Sequence, residues 1–248
     1  MTSVELSRRE ALASAAAAAA ALWLPGCAGR PGPALAASPA GDGEVQRLLA
    51  TVAEDLLAEY PENAAALGLD KGARAALKAR LTDRSPAGAA RRAAAAGQRL
   101  ARLKAIDERG LSEATRIDLG VVRTAHELAI AGHRFPYGDV VILNNQWSYR
   151  NTPYVVAQNS GAFVEYPDFL DSSHGIASAA DAEAYLQRLA AYAANLDGET
   201  AQLQRNLALG VVAPAFLLDK TLKQLRAGRS QPIAEWGVVT SIARRTRD

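Results

Sequence analysis

The segment "SAADAEAYLQRLAAYAANLDGETAQLQRNLALG", Ser178–Gly210, decides the fold class. It opens with a variant of the capping box, Ser178 followed by Asp181 at the third helical position, and closes at Gly210, a residue type suited to the left-handed turn after a helix. Between these ends Leu186, Leu189 and Ala193 recur at helical spacing and define an apolar face. A second run passes through Leu203 and Leu207 and stops at the glycine.

The same grammar extends outward on both sides. Val45, Leu48, Leu49, Val52, Leu56 and Leu57 follow a helical period that ends at Pro61. Ser85 and Pro86 form a cap and first-turn pair that opens a helix reaching Leu100, Leu103 and Ile106. Ser112 caps the next helix, with Leu111 placed as a staple residue. Downstream, Pro214 opens a helix carrying Leu218, Leu222 and Leu225, which Gly228 ends.

One stretch breaks the rhythm. From Arg134 to Ser178 the chain is rich in Pro, Gly, Asn and Ser, and holds Phe135, Tyr137, Trp147, Tyr149, Tyr154, Phe163, Tyr166 and Phe169. So long an irregular connection is unusual unless it is functional or hides short elements. "DVVILNN", Asp139–Asn145, reads as one short strand inside it. The expected fold is mainly α: a multi-helix array with one long aromatic-rich irregular segment and at most a short strand.

With 49% hydrophobic and 22% charged residues the chain of 248 has the composition of a globular protein, and its abundant alanine favours helix packing. A net charge of +2 gives no reason to expect nucleic acid or an anionic membrane surface as partner. "SRREALASAAAAAAALWLPGCAG" is a leader: Arg8 and Arg9 precede an apolar run, Ala11–Leu24, shorter than the roughly 20 residues of a permanent span. The arginine pair after Ser7 resembles the twin-arginine export signal; an ordinary secretory signal is the alternative. Two exits follow. "LPGC" fits a lipoprotein box with Cys27 as the acylated residue, whereas the small residues at Ala34 and Ala36 fit cleavage that discards Cys27. The expected organisation is an export signal over 1–36, a Pro/Gly/Ala linker over 37–43 and a helical region over 44–248. The address is the periplasm or a lipid anchor at the envelope, and membrane contact runs only through the export machinery or that anchor. Either way no disulfide is available to the mature chain, so its stability rests on packing.

The candidate chemistry starts at "AHELAIAGH", Ala125–His133, which begins like the HExxH helix of zinc peptidases. That motif needs histidines at i and i+4, on one helix face and close enough to share one ion. Here the fourth residue after His126 is Ile130, and His133 lies roughly 10 Å further along the helix axis, too far for one zinc. The wheel sets His126 among Leu119, Val122 and Ile130, a core position, with Arg116, Arg123 and Glu127 on the solvent side. His174, in "DSSHGIAS", either orients the turn before a helix or meets a substrate. No thiol nucleophile survives in the mature chain, and no phosphate loop or GxSxG elbow is present. The segment from Asn144 to Phe169 is the best candidate recognition surface, its alternative being aromatics that fill the core beneath a loop.

Several phrases carry a family resemblance: "YPENAAALGLDKGARAALKARLTDRSPAGAAR" (60–91), "LSEATRIDLGVVRTAHELA" (111–129), "NTPYVVAQNSGAFVEYPDFLDSSHGIASAADAEAYLQRL" (151–189), "GVVAPAFLLDKTLKQL" (210–225) and "VTSIARRTRD" (239–248). Together they resemble the bacterial domain of unknown function eight hundred and eighty-five. The resemblance implies a mainly helical, exported protein at least about twice this length, similar to helical zinc carboxypeptidases. Its metal site would be a His-Glu segment followed by Pro-Gly-His, and neither segment occurs here. No catalytic or metal residue therefore carries over onto this chain; zinc is expected only in full-length relatives. "EWGVVTSIARRTRD", from Glu235, closes without a stop signal and reads as truncation. The expected function is the N-terminal helical part of an exported zinc-dependent peptidase-like protein, inactive as given, with a peptide substrate and a missing C-terminal half as partners. Tyr149, Tyr154, Asn159 and His174 are its candidate cleft-lining residues. The alternative is a complete, non-catalytic helical module of the cell envelope that binds a peptide or a protein.

Overall fold

The computed structural model describes residues 41–144 and 150–247. Arg8, Arg9, Cys27 and Tyr149 lie outside the described residues. The elements in order are α1 (Asp42–Glu59), α2 (Pro61–Ala66), a 3-10 helix (Gly72–Ala79), α3 (Pro86–Lys104), α4 (Glu113–His133), α5 (Ala162–Ser172), α6 (Ala179–Ala208), α7 (Ala215–Ser230), a 3-10 turn (Ile233–Glu235) and α8 (Gly237–Arg245). The fold is mainly α. Among the described residues no helix is long and apolar enough to cross a membrane.

Three of these helices start at serine caps. The Ser85 hydroxyl accepts the Gly88 N–H at 3.0 Å, Ser112 accepts from Thr115 at 3.2 Å, and Ser178 accepts from Asp181 at 3.2 Å. The Asp181 carboxylate reaches back to the Ala177 N–H at 3.0 Å, one residue beyond the partner that a capping box uses. Each such cap is worth about 1 kcal/mol.

α3 packs along α4, α1 lies on α4, and α6 crosses the first 3-10 helix, α3, α5 and α8. One core patch joins Tyr166, Phe169 and Leu170 of α5 to Tyr185 of α6 and Val238 of α8. A second gathers Val45, Leu103, Leu111 and Leu119, and a third Leu57, Ala64 and Leu77. Leu111 thus serves the core rather than a staple, because Arg116 occupies the position a staple needs. α6 approaches the start of α3 so closely that a Cβ at Gly198 would stand 2.9 Å from the Ser85 backbone nitrogen.

The irregular segment departs from expectation twice. α5 lies inside it, interrupted by Pro167 and preceded by Gly161 at φ 111°, two features that mask a helical signal. "DVVILNN" forms no ladder over its described residues. Instead the Asn151 side chain takes the place of a neighbouring strand: its Oδ1 accepts the Val141 N–H at 2.8 Å, and its Nδ2 donates to the Val141 carbonyl at 3.3 Å. An isolated bridge joins Ala157 and Ser160.

α6 corrects the segment on which the fold was read. It is one continuous helix of 30 residues, and Leu186, Leu203 and Leu207 stand exposed. The buried side carries Ala184, Tyr185, Arg188, Asn195, Gly198, Glu199, Gln202 and Asn206. The leucine stripe lies about one residue step, roughly 100°, around the helix from this polar stripe. The polar side chains face inward because their partners are there.

Candidate functional site

That inward stripe belongs to a buried ionic network where α5, α6 and the segment before α3 meet. Arg84 is its hub. Its Nη1 donates to Glu199 at 2.9 Å, Nη2 to Glu165 at 2.7 Å and Nε to the Tyr166 hydroxyl at 2.9 Å, while the guanidinium lies 4.4 Å from the Tyr166 ring centre. The Arg84 N–H donates to Asn195 Oδ1 at 2.7 Å, and Asn195 Nδ2 donates to the same tyrosine hydroxyl. Glu199 closes the start of α5 by accepting the Ala162 N–H. The pattern satisfies both charges from several directions, as a buried pair requires.

Two more carboxylates are held the same way. Burial alone would raise the Asp139 carboxyl, but the guanidiniums of Arg150 and Arg92 hold it down at about 2. Burial also works against Glu62, yet the Thr82 hydroxyl and N–H, at 2.7 and 2.8 Å, keep its carboxyl below the usual range. A cavity of about 30 Å³ beside Glu62, Arg84, Arg150 and Tyr166 has room for a water.

Arg188 is fully buried and forms no ion pair among the described residues. It donates to the Arg80 and Leu77 carbonyls at 3.0 and 3.2 Å and to His174 Nδ1 at 2.7 Å, with its guanidinium 4.8 Å from the Phe169 ring centre. Burial lowers it to about 10. His174 lies between this arginine and the Asp181 carbonyl, 3.0 Å from Nε2, and stands edge-on to Tyr185. Burial, with Arg188, Lys78 and Arg245 nearby, lowers its imidazole to about 4, so the ring is neutral and accepts from Arg188.

The other two histidines do not join it. His126 is buried, with Nδ1 on the Val122 carbonyl at 2.8 Å and Nε2 receiving the Arg99 Nε–H at 3.1 Å; Arg99 also grips Glu59 through both terminal nitrogens at 2.8 Å. His133 ends α4 half-buried. Among the described residues no group of three or more His, Cys, Asp or Glu is placed to hold a metal ion.

Among the concave surfaces of the described residues, two are lined mainly by apolar side chains. A cleft of about 600 Å³ runs between the end of α4 and the irregular segment, lined by Leu128, Phe135, Tyr137, Asp139, Val140 and Asn151. A groove of about 500 Å³ separates α7 from α5, α6 and α8. Tyr154 is half-buried, Asn159 is exposed in the turn that Ala157 and Ser160 close, and His174 is 1% exposed. Among the described residues none of the three lines either surface. Arg84, Asp139, Arg150 and Glu199 belong to no motif visible in the sequence. The available signal was the polar stripe at helical period from Arg188 to Asn206, which hydropathy does not mark.

The family model described as "Bacterial protein of unknown function (DUF885)" matches residues 61–247. No curated protein matches the chain. Among solved structures, "the putative lipoprotein from Colwellia psychrerythraea" is similar at a TM-score of 0.70 and 14% identity, over 83% of this chain and 34% of that one. At that identity the likeness is one of fold. The chain spans about a third of that neighbour's length.

Proposed function

The chain belongs to the bacterial protein family of unknown function DUF885, and on that premise we propose that it is the non-catalytic, N-terminal helical part of an exported zinc-dependent peptidase-like protein. Polypeptide outside these 248 residues supplies the metal-binding half, and this part forms one wall of a peptide cleft, with Tyr154 and Asn159 on it. The observation that carries the reading is the set of apolar helix faces left open. Ile117, Val121 and Leu128 of α4 are 57–69% exposed at helical spacing, and Leu203 and Leu207 of α6 and Leu218, Leu222 and Leu225 of α7 form further stripes. Contiguous apolar faces of this kind mark surfaces that another element covers. The share of the solved neighbour that the chain spans supports the same reading.

The test is direct. The purified chain is expected to hold no stoichiometric zinc by elemental analysis and to cleave no peptide; zinc with hydrolysis would overturn the proposal. Export goes with it: Arg8 and Arg9 direct the chain outward, and Cys27 acylation or cleavage after Ala36 sets the address. Mass spectrometry of the mature N-terminus separates the two.

The cleft of about 600 Å³ favours a second reading, a complete, non-catalytic envelope module that holds a peptide between α4 and the aromatic segment. A monodisperse monomer that melts cooperatively supports this module; aggregation and ready proteolysis support the first reading.

A further inference from the structure

α7 is the least supported helix of the fold. Among the described residues it packs closely on no other element, buries Thr221 alone, and is tied across by Gln224 Nε2 to the Gln158 carbonyl at 3.3 Å. Its sequence is nevertheless strongly two-sided. Leu218, Leu222 and Leu225 recur at i, i+4 and i+7, within an arc of about 60°. Arg226 borders that arc, Arg229 continues it one turn beyond Leu225, and Lys220 and Lys223 lie behind it. None of these four cations has an ion pair among the described residues, in contrast to Arg74 on Glu54, Arg99 on Glu59 and Arg123 on Glu108.

One of these leucines is set in a concave surface rather than on a convex one. Leu225 forms one side of the groove of about 500 Å³, opposite Phe163, Val164, Tyr192, Leu196 and Trp236, with Arg229 at its rim. The surface is therefore concave and mostly apolar, with Arg229 on its lining and Arg226 on the next flank of α7. A bilayer suits the charge but cannot reach apolar side chains set inside a groove. A second copy is also a poor match. It would bring basic α7 against basic α7, and the chain's own acidic helix, α1, has Val45, Val52 and Leu57 committed to the core.

We propose that this groove seats an acidic amphipathic helix, with apolar residues at three- and four-residue intervals and carboxylates along the edge that meets Arg226 and Arg229. The helix comes from the remainder of the larger fold, so the assignment rests on the reading given above. Its apolar face closes over Leu225, Leu196 and Trp236, and its carboxylates supply counter-charges to Arg226 and Arg229.

The probe is a fluorescent synthetic helical peptide with leucines at that spacing and glutamates on the flank, added to the full chain and followed by anisotropy. A matched peptide with lysines in place of the glutamates is the control. Saturable, salt-sensitive binding of the glutamate peptide is expected, with the lysine peptide at least about tenfold weaker, as charge complementarity demands. Leu225→Glu and Leu196→Glu, both at exposed positions that line the groove, are each expected to weaken binding by about tenfold or more while the thermal melt stays in place. Equal binding of the two peptides, binding of neither, or indifference to both substitutions overturns the proposal. So does Leu225-dependent uptake onto phosphatidylglycerol vesicles, or Leu225-dependent dimerisation, without peptide binding. Zinc-dependent hydrolysis by the chain overturns the parent reading instead, and the peptide titration is scored independently of it.

Discussion

Along α6 the flank that meets α3, α5 and the segment before α3 carries Arg188, Asn195, Glu199, Gln202 and Asn206, all buried. The adjacent flank carries Leu196, Leu203 and Leu207, all exposed by a third or more. The same helix hides its polar side and shows its apolar one. Burial here follows partnership: Glu199 and Asn195 go inside because Arg84, Tyr166 and the Ala162 N–H are there to receive them. The leucines stay outside because no described element lies against them.

The contrast can be broken most severely at Arg84. Arg84→Met leaves Glu199 and Glu165 without their shared cation, and a loss of about 3–5 kcal/mol is expected in urea unfolding. A loss below about 1 kcal/mol would mean that the inner flank is held by packing alone.

Acid tests the same flank at His174. In the unfolded chain an imidazole takes up its proton near 6.5, whereas in the fold His174 does so only near 4. As pH falls from 6.5 to 4 the unfolded state gains protons that the folded state does not, and stability drops by up to about 3 kcal/mol. Above pH 7 this group contributes no pH dependence. Urea midpoints measured across that window are expected to fall in the wild type and to flatten in His174→Gln, which keeps an acceptor for Arg188.

Ser112→Ala removes one cap from α4, away from both flanks, and is expected to cost about 1 kcal/mol by the same measurement. Leu207→Ser, at a side chain 64% exposed, should change stability by less than about 0.5 kcal/mol. It should also reduce self-association in light scattering. A large destabilisation there would place Leu207 in the core and erase the contrast.

The helix starts were legible because cap chemistry is local: Ser85, Ser112 and Ser178 each act within three residues. α5 was not, since Pro167 withholds an amide and the aromatic residues read as a loop. The inward face of α6 was misread because a hydropathy period selects leucines whatever their neighbours. The Arg84 network was out of reach for another reason: its partners stand 81 to 115 positions away, and only the fold brings them together.

The light attachment of α7 also has a kinetic meaning. One buried threonine and one cross-link through Gln224 leave little to be broken before this helix detaches with the rest intact. Its backbone amides should exchange with deuterium through a low-energy local opening, while those around Tyr185 and Arg188 wait for the whole molecule to unfold. The arm is thus a separate unit of cooperativity, free to fasten or release on a timescale that the body does not share.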